Sequence, residues 1–131
     1  MTIMAVAASL APIGCSIGGD SEPQPVSGVP KDIAATVDRL ERAIADGDYG
    51  QVCDRLFTKQ AKERAGGDDC AKQVTAAAEG VSRPQIVIRG IDVQGNRATV
   101  KVATTAEGQA RLIDTLQLRR EDGRWLVDAL S

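Results

Sequence analysis

With 131 residues, 43% of them hydrophobic and 26% charged, the chain can form one domain around one modest core and is too apolar to be a disordered polymer. Its three aromatic residues, Tyr49, Phe57 and Trp125, leave the core to Val, Ile, Leu and Ala, so any internal cavity is expected to be aliphatic and stacking on bases or sugars is disfavoured. A formal charge of −2 and the absence of His exclude a basic nucleic-acid footprint and remove the commonest general base, metal ligand and pH sensor.

Residues 3–14 (IMAVAASLAPIG) carry no charge. The run is shorter than the roughly 20 apolar residues of a transmembrane helix and suits the apolar stretch of a signal peptide. The segment Leu10-Ala11-Pro12-Ile13-Gly14-Cys15 resembles the bacterial lipobox, in which a small residue precedes a cysteine that takes lipid and becomes the amino terminus. The resemblance implies residues 1–15 as signal segment and Cys15 as the lipidation site. Pro12 and Ile13 depart from the usual pattern, and no Lys or Arg precedes the run; a start placed too far downstream would account for the missing basic residues. An ordinary cleaved secretory signal is the alternative. Residues 16–29 (SIGGDSEPQPVSGV) cannot fill a core and read as a flexible tether, which an anchored domain needs to clear the headgroups. The expected location is the outer face of a bacterial membrane, or outside the cell if no lipid is attached.

If Cys15 takes lipid, Cys53 and Cys70 are left as a pair in an oxidising compartment, where disulfides persist. Two buried thiols or a redox pair are the other readings. The spacing is not that of a C-x-x-C redox motif, and two thiols without His make a poor zinc site.

Pro30 suits the first turn of a helix, and Ile33, Val37, Leu40 and Ile44 follow at helical spacing, with Asp38, Arg39, Glu41 and Arg42 on the other side. Gly47 ends that helix. Asp48 is an N-cap for a short second helix holding Val52, Cys53 and Leu56. Thr58 caps a third piece over 59–65, stopped by Gly66-Gly67, and Asp68 or Asp69 caps a fourth over about 70–78. Beyond Pro84 the pattern becomes that of strands. Residues 85–93 alternate, with a slip near Gly90 that predicts a bulge. A turn at Gln94-Gly95-Asn96 leads into Arg97–Thr105, with Ala98, Val100 and Val102 inward. A third strand over 111–120 places Leu112, Leu116 and Leu118 on one face, and a last strand, Arg124–Leu130, follows the turn Glu121-Asp122-Gly123. Arg119 and Arg120, being adjacent on a strand, point to opposite faces and make no basic patch. Helices first and hairpin-linked strands after predict an α+β fold, with N-terminal helices on one face of a curved antiparallel sheet of about four strands.

The closing segment, from Arg119-Arg120-Glu121-Asp122-Gly123 through Arg124-Trp125-Leu126-Val127-Asp128, resembles the last hairpin of the NTF2-like (SnoaL-like) superfamily. The front half, with Ala45-Asp46-Gly47-Asp48-Tyr49 followed by Val52-Cys53-Asp54-Arg55-Leu56-Phe57, is similar to small secreted actinobacterial lipoproteins of that type. In those, a cysteine at the position of Cys53 pairs with one after a Gly/Asp-rich loop, here Cys70. The resemblance spans 30–131 and implies a cone-shaped domain, but this fold hosts isomerases, dehydratases, cyclases and non-catalytic domains alike.

Asp114 is the weak catalytic candidate. It shares parity with Leu112, Leu116 and Leu118, so it points toward the apolar face, where a carboxylate with a raised pKa could act as general base. A bend in the strand, or an Asp satisfied by a neighbouring N–H or by Arg111, explains it equally. Tyr49 could supply an oxyanion donor, though packing at the helix junction is the simpler role. Asp68 and Asp69 lack the spaced ligands of a calcium loop. No phosphate loop, nucleophile elbow or zinc signature occurs. The expectation is therefore a non-catalytic, extracytoplasmic lipoprotein domain with neither cofactor nor metal. A small apolar ligand, an envelope protein or a second copy of the chain are the partners it leaves open. The competing expectation is a small isomerase- or dehydratase-type enzyme using Asp114.

Overall fold

The computed structural model describes residues 29–131. The signal segment, Cys15 and nearly all of the expected tether therefore lie outside the described residues; Val29, expected as the tether's last residue, already belongs to the first helix. Helix α1 (Val29–Asp46) buries Ile33, Thr36, Val37, Leu40 and Ala43, one stripe at three- and four-residue spacing. Each of its large aliphatic side chains contributes about 2 kcal/mol by leaving water. Gly47, at φ +71°, ends α1 in a Schellman closure. Its N–H donates to the Ile44 carbonyl at 3.2 Å, and the Asp48 N–H reaches back to Ala43 at 2.8 Å. Asp48 then caps the next helix, its carboxylate accepting from the Gln51 N–H at 3.3 Å.

That second helix forms where expected but does not stay α. Helix α2 (Tyr49–Gln51) runs directly into a π-helical turn, Val52–Leu56, closed by the Phe57 N–H on the Val52 carbonyl at 2.9 Å. The reason lies one residue on. Phe57 leaves the turn extended and makes a parallel bridge to Val127, and the Thr58 N–H donates to the Val127 carbonyl at 2.9 Å. Thr58 caps α3 (Lys59–Arg64), accepting from the Ala61 N–H at 3.0 Å. The expectation that Asp68 or Asp69 caps the fourth helix is corrected. Gly67–Asp69 form a 3-10 turn, and Asp69 occupies the N-cap position of α4 (Cys70–Ala77) without a side-chain hydrogen bond.

Four strands, β1 (Gln85–Gln94), β2 (Arg97–Thr105), β3 (Leu112–Glu121) and β4 (Arg124–Leu130), pair antiparallel in the order β1-β2-β3-β4. The expected bulge is present, as the register shifts between Ile88 and Gly90. A second shift, opposite Gln117 and Leu118, leaves Asp128 unpaired on β4. Two bulges bend the sheet, and the helices fill its concave face. Ala98, Val100, Val102, Leu116, Leu118, Trp125 and Val127 meet Ile33, Val37, Leu40, Val52 and Leu56 there. The β3–β4 turn, Asp122-Gly123, has both residues at positive φ, the geometry that matches the twist of the flanking strands.

Four side-chain hydrogen bonds tie the helices to the sheet. The buried Thr36 hydroxyl donates to the Trp125 carbonyl at 2.8 Å. Glu41 accepts from the Ile86 N–H at 2.7 Å and so covers a donor on the outer edge of β1. Thr58, fully buried, donates to the Asp128 carboxylate at 2.7 Å, and Arg64 donates to the Asp128 carbonyl. The helix α1 thus runs from β4 toward β1. At the end of the sheet where β3 begins, Leu112 has the expected inward parity opposite Thr104 but is 58% exposed, because the sheet extends past its helical cover. Val87, Ala103 and Ile113 are cross-strand neighbours on the convex face.

Candidate functional site

The flank of α1 beside its buried stripe carries exposed Asp32 and Arg39, half-buried Ala35 and, at its edge, buried Thr36, at three- and four-residue spacing. This flank is one wall of a cleft of about 400 Å³. Gln51, Arg55 and Leu56, from α2 and its π turn, form the opposite wall, and Gly123 to Leu126 close it from the β3–β4 turn. Trp125 and Leu56 are buried, whereas Arg39, Arg55 and Arg124 are exposed. The cleft therefore has an apolar floor and a charged rim of three guanidinium groups and one carboxylate. This corrects the expectation of an aliphatic cavity. The aliphatic side chains of the concave face pack against one another, and the space left over lies where charged residues meet.

A smaller cleft of about 290 Å³ lies over the sheet at the end carrying the β1–β2 turn, among Asp92, Gln94, Arg97, Thr99, Gln117 and Arg119. Arg119 and Arg120 do diverge as expected, but Arg97 sits directly across from Arg119, so a basic pair forms between strands instead of along one.

Asp114 lies opposite Val102 and is half-buried; its carboxylate accepts from the Thr104 hydroxyl at 3.2 Å. It lines neither cleft, and neither does Tyr49. Tyr49 opens α2 and is half-buried at the helix junction. The structure does not bring the two together as an acid–base pair with a hydrogen bond between them. Cys53 and Cys70 form a disulfide that ties the π turn to the first residue of α4, and both are buried. Beside it, the Lys62 ammonium lies 2.8 Å from Asp54 and is held above its ordinary pKa, first by that hydrogen bond and then by the charge of Asp54. Among the described residues no group of three or more His, Cys, Asp or Glu could hold a metal ion, and no described helix is long and apolar enough to cross a membrane.

Sequence reasoning missed the arginine rim. Arg39, Arg55 and Arg124 come from three separate elements, and only the 32–35–36–39 stripe on α1 was visible along the chain.

Four strands curling over a helical layer, with the helices first in sequence, match known structures closely enough to settle the architecture. A protein of unknown function from Silicibacter pomeroyi DSS-3 superposes with a TM-score of 0.58 at 22% identity, over 76% of this chain and 90% of that one. The fold is NTF2-like. A protein of unknown function from Shewanella baltica OS155 has a TM-score of 0.56 at 15% identity, over 81% of this chain and 94% of that one. A Streptomyces avermitilis protein described as a "putative dehydratase" of the NTF2-like family has a TM-score of 0.55 at 12% identity, covering 76% and 91%. The family model described as "putative lumazine-binding" matches residues 66–129, from the loop before α4 through almost all of the sheet. No curated protein matches the sequence significantly.

Proposed function

We propose that this NTF2-like chain is a non-catalytic domain, exported and held at the outer face of a bacterial membrane by lipid on Cys15, where it binds a small ligand or an envelope partner. The observation that carries the reading is the buried Cys53–Cys70 disulfide. Such bonds persist in oxidising compartments, and with two of three cysteines used, Cys15 is the one left for modification. The intact mass of the protein recovered from the membrane fraction tests it. A mature chain beginning at Cys15 and carrying acyl mass is expected; an unmodified Cys15, or cleavage elsewhere, would sink the anchor.

The non-catalytic part rests on Asp114, which has a hydroxyl for company and lines neither cleft. An isomerase- or dehydratase-type reaction needs a second polar group aimed at the same substrate atom. Likeness to the Streptomyces avermitilis protein keeps that alternative in view without naming a substrate. Lumazine binding, taken from the family description, has thin support: Trp125 is the one aromatic side chain in the larger cleft.

A further inference from the structure

We infer that the cleft between α1, the π turn and the β3–β4 turn is a binding site for a phosphate group, presented by a small soluble molecule or by a phospholipid headgroup. The inference deepens the reading of the domain as a binding module and depends on that reading alone, not on the anchor.

Charge is the first argument. Arg39, Arg55 and Arg124 converge on one cleft that holds a single carboxylate, Asp32. None of the three makes an ion pair among the described residues, as is true of most of the chain's basic residues, so all three guanidinium groups keep their donors free for a ligand. On a chain of net charge −2, a local excess of two positive charges matches a phosphate monoester dianion. Guanidinium groups suit this ligand because their paired N–H donors fit oxyanion geometry.

Shape is the second argument. About 400 Å³ lies within the range of small-molecule sites, and the buried Trp125 and Leu56 at the floor offer an apolar surface to whatever the phosphate carries. The local backbone is the third. Gln51 caps the π-helical stretch at its start and Arg55 lies within it, and π turns occur mostly as single insertions that re-aim side chains, often at functional sites. In an uninterrupted α-helix each added residue turns the following side chains by about 100°, so the winding of this turn sets the direction of Arg55, which lines the same cleft as Arg39.

The test uses the 131-residue chain. Isotope-labelled protein is titrated with sodium phosphate at constant ionic strength, with sodium chloride as the control, and separately floated with phosphatidylglycerol or phosphatidylcholine vesicles. Saturable shifts at Gln51, Arg55 and the Gly123 to Leu126 amides are expected with phosphate and not with chloride. Arg39→Gln and Arg124→Gln should each weaken binding about tenfold, the loss of one charge-assisted contact, while Arg97→Gln on the other cleft should not. These arginines are exposed, so folding should survive, and unchanged thermal melts of the variants would establish it. Phosphate binding without vesicle binding assigns a soluble ligand; arginine-dependent flotation with phosphatidylglycerol alone assigns a headgroup. Binding to neither probe, or binding that both variants leave intact, overturns the proposal. That failure would leave the Cys15 mass measurement untouched, so the two readings fall separately.

Discussion

Replacing Cys53 and Cys70 with alanine together should lower the melting temperature by about 20 °C, roughly 15 °C of it from the lost bond. The bond closes a segment with a sequence separation of 17, and constraining a loop of that length in the unfolded chain stabilises the fold by about 3 kcal/mol. A domain of about 100 residues gains roughly 0.2 kcal/mol per kelvin of entropy on unfolding, and the quotient gives the bond's share. Both sulfurs are buried, so truncation adds a small packing loss on top, of the order of 1 kcal/mol. The assay is a thermal melt by circular dichroism, run with and without a thiol reductant. Reductant should move the wild type most of the way to the double variant and leave the variant where it is. A shift below about 5 °C, or a reductant effect that persists in the variant, would refute the reasoning, because the stabilisation would not then come from this loop.

Substitutions at four further positions probe the links between the layers and the reach of the helical cover. Thr58→Ala removes an N-cap and the donor to the half-buried Asp128 carboxylate in one step; a loss of about 2–3 kcal/mol in urea denaturation is expected, with Thr58→Ser recovering most of it. Thr36→Val keeps the volume but orphans the Trp125 carbonyl, costing about 1–2 kcal/mol by the same measurement. Leu116→Ala should cost about 2–4 kcal/mol, whereas Leu112→Ala, of the same parity but 58% exposed, should cost under about 0.5 kcal/mol. Equal losses at the two leucines would mean that the helices cover the whole sheet.

Legibility followed the range of the interaction. The α1 stripe, the Gly47 stop, the Asp48 and Thr58 caps, the bulge before Gly90 and the β3–β4 turn are decided by residues within five positions of one another, and the sequence pattern contains them. The π turn was invisible because the bridge that follows it, from Phe57 to Val127, joins residues separated by about two thirds of the domain. The fourth helix start misled for a different reason. Gly66 and Gly67, both at positive φ, wind the chain into a 3-10 turn before the Asp69 side chain can reach a free N–H, so a residue type favoured at N-caps holds the position without making the bond.

Asp114 shows what parity can and cannot say about a site. The structure pairs it with Val102, and alternation puts it on the same side as Leu116. It does not say how far along the strand the helices reach, and Leu112, two residues away on the same side, is open to solvent. The carboxylate at that margin is half-buried and takes one hydroxyl, that of Thr104. The arginine cleft has the opposite history. Each arginine reads as an ordinary solvated charge in its own segment, and together they become a feature only when the β3–β4 turn folds back beside α1. In a fold whose apolar interior is filled by its own side chains, the space left over lies at such junctions, where residues distant in sequence bring charge to one place.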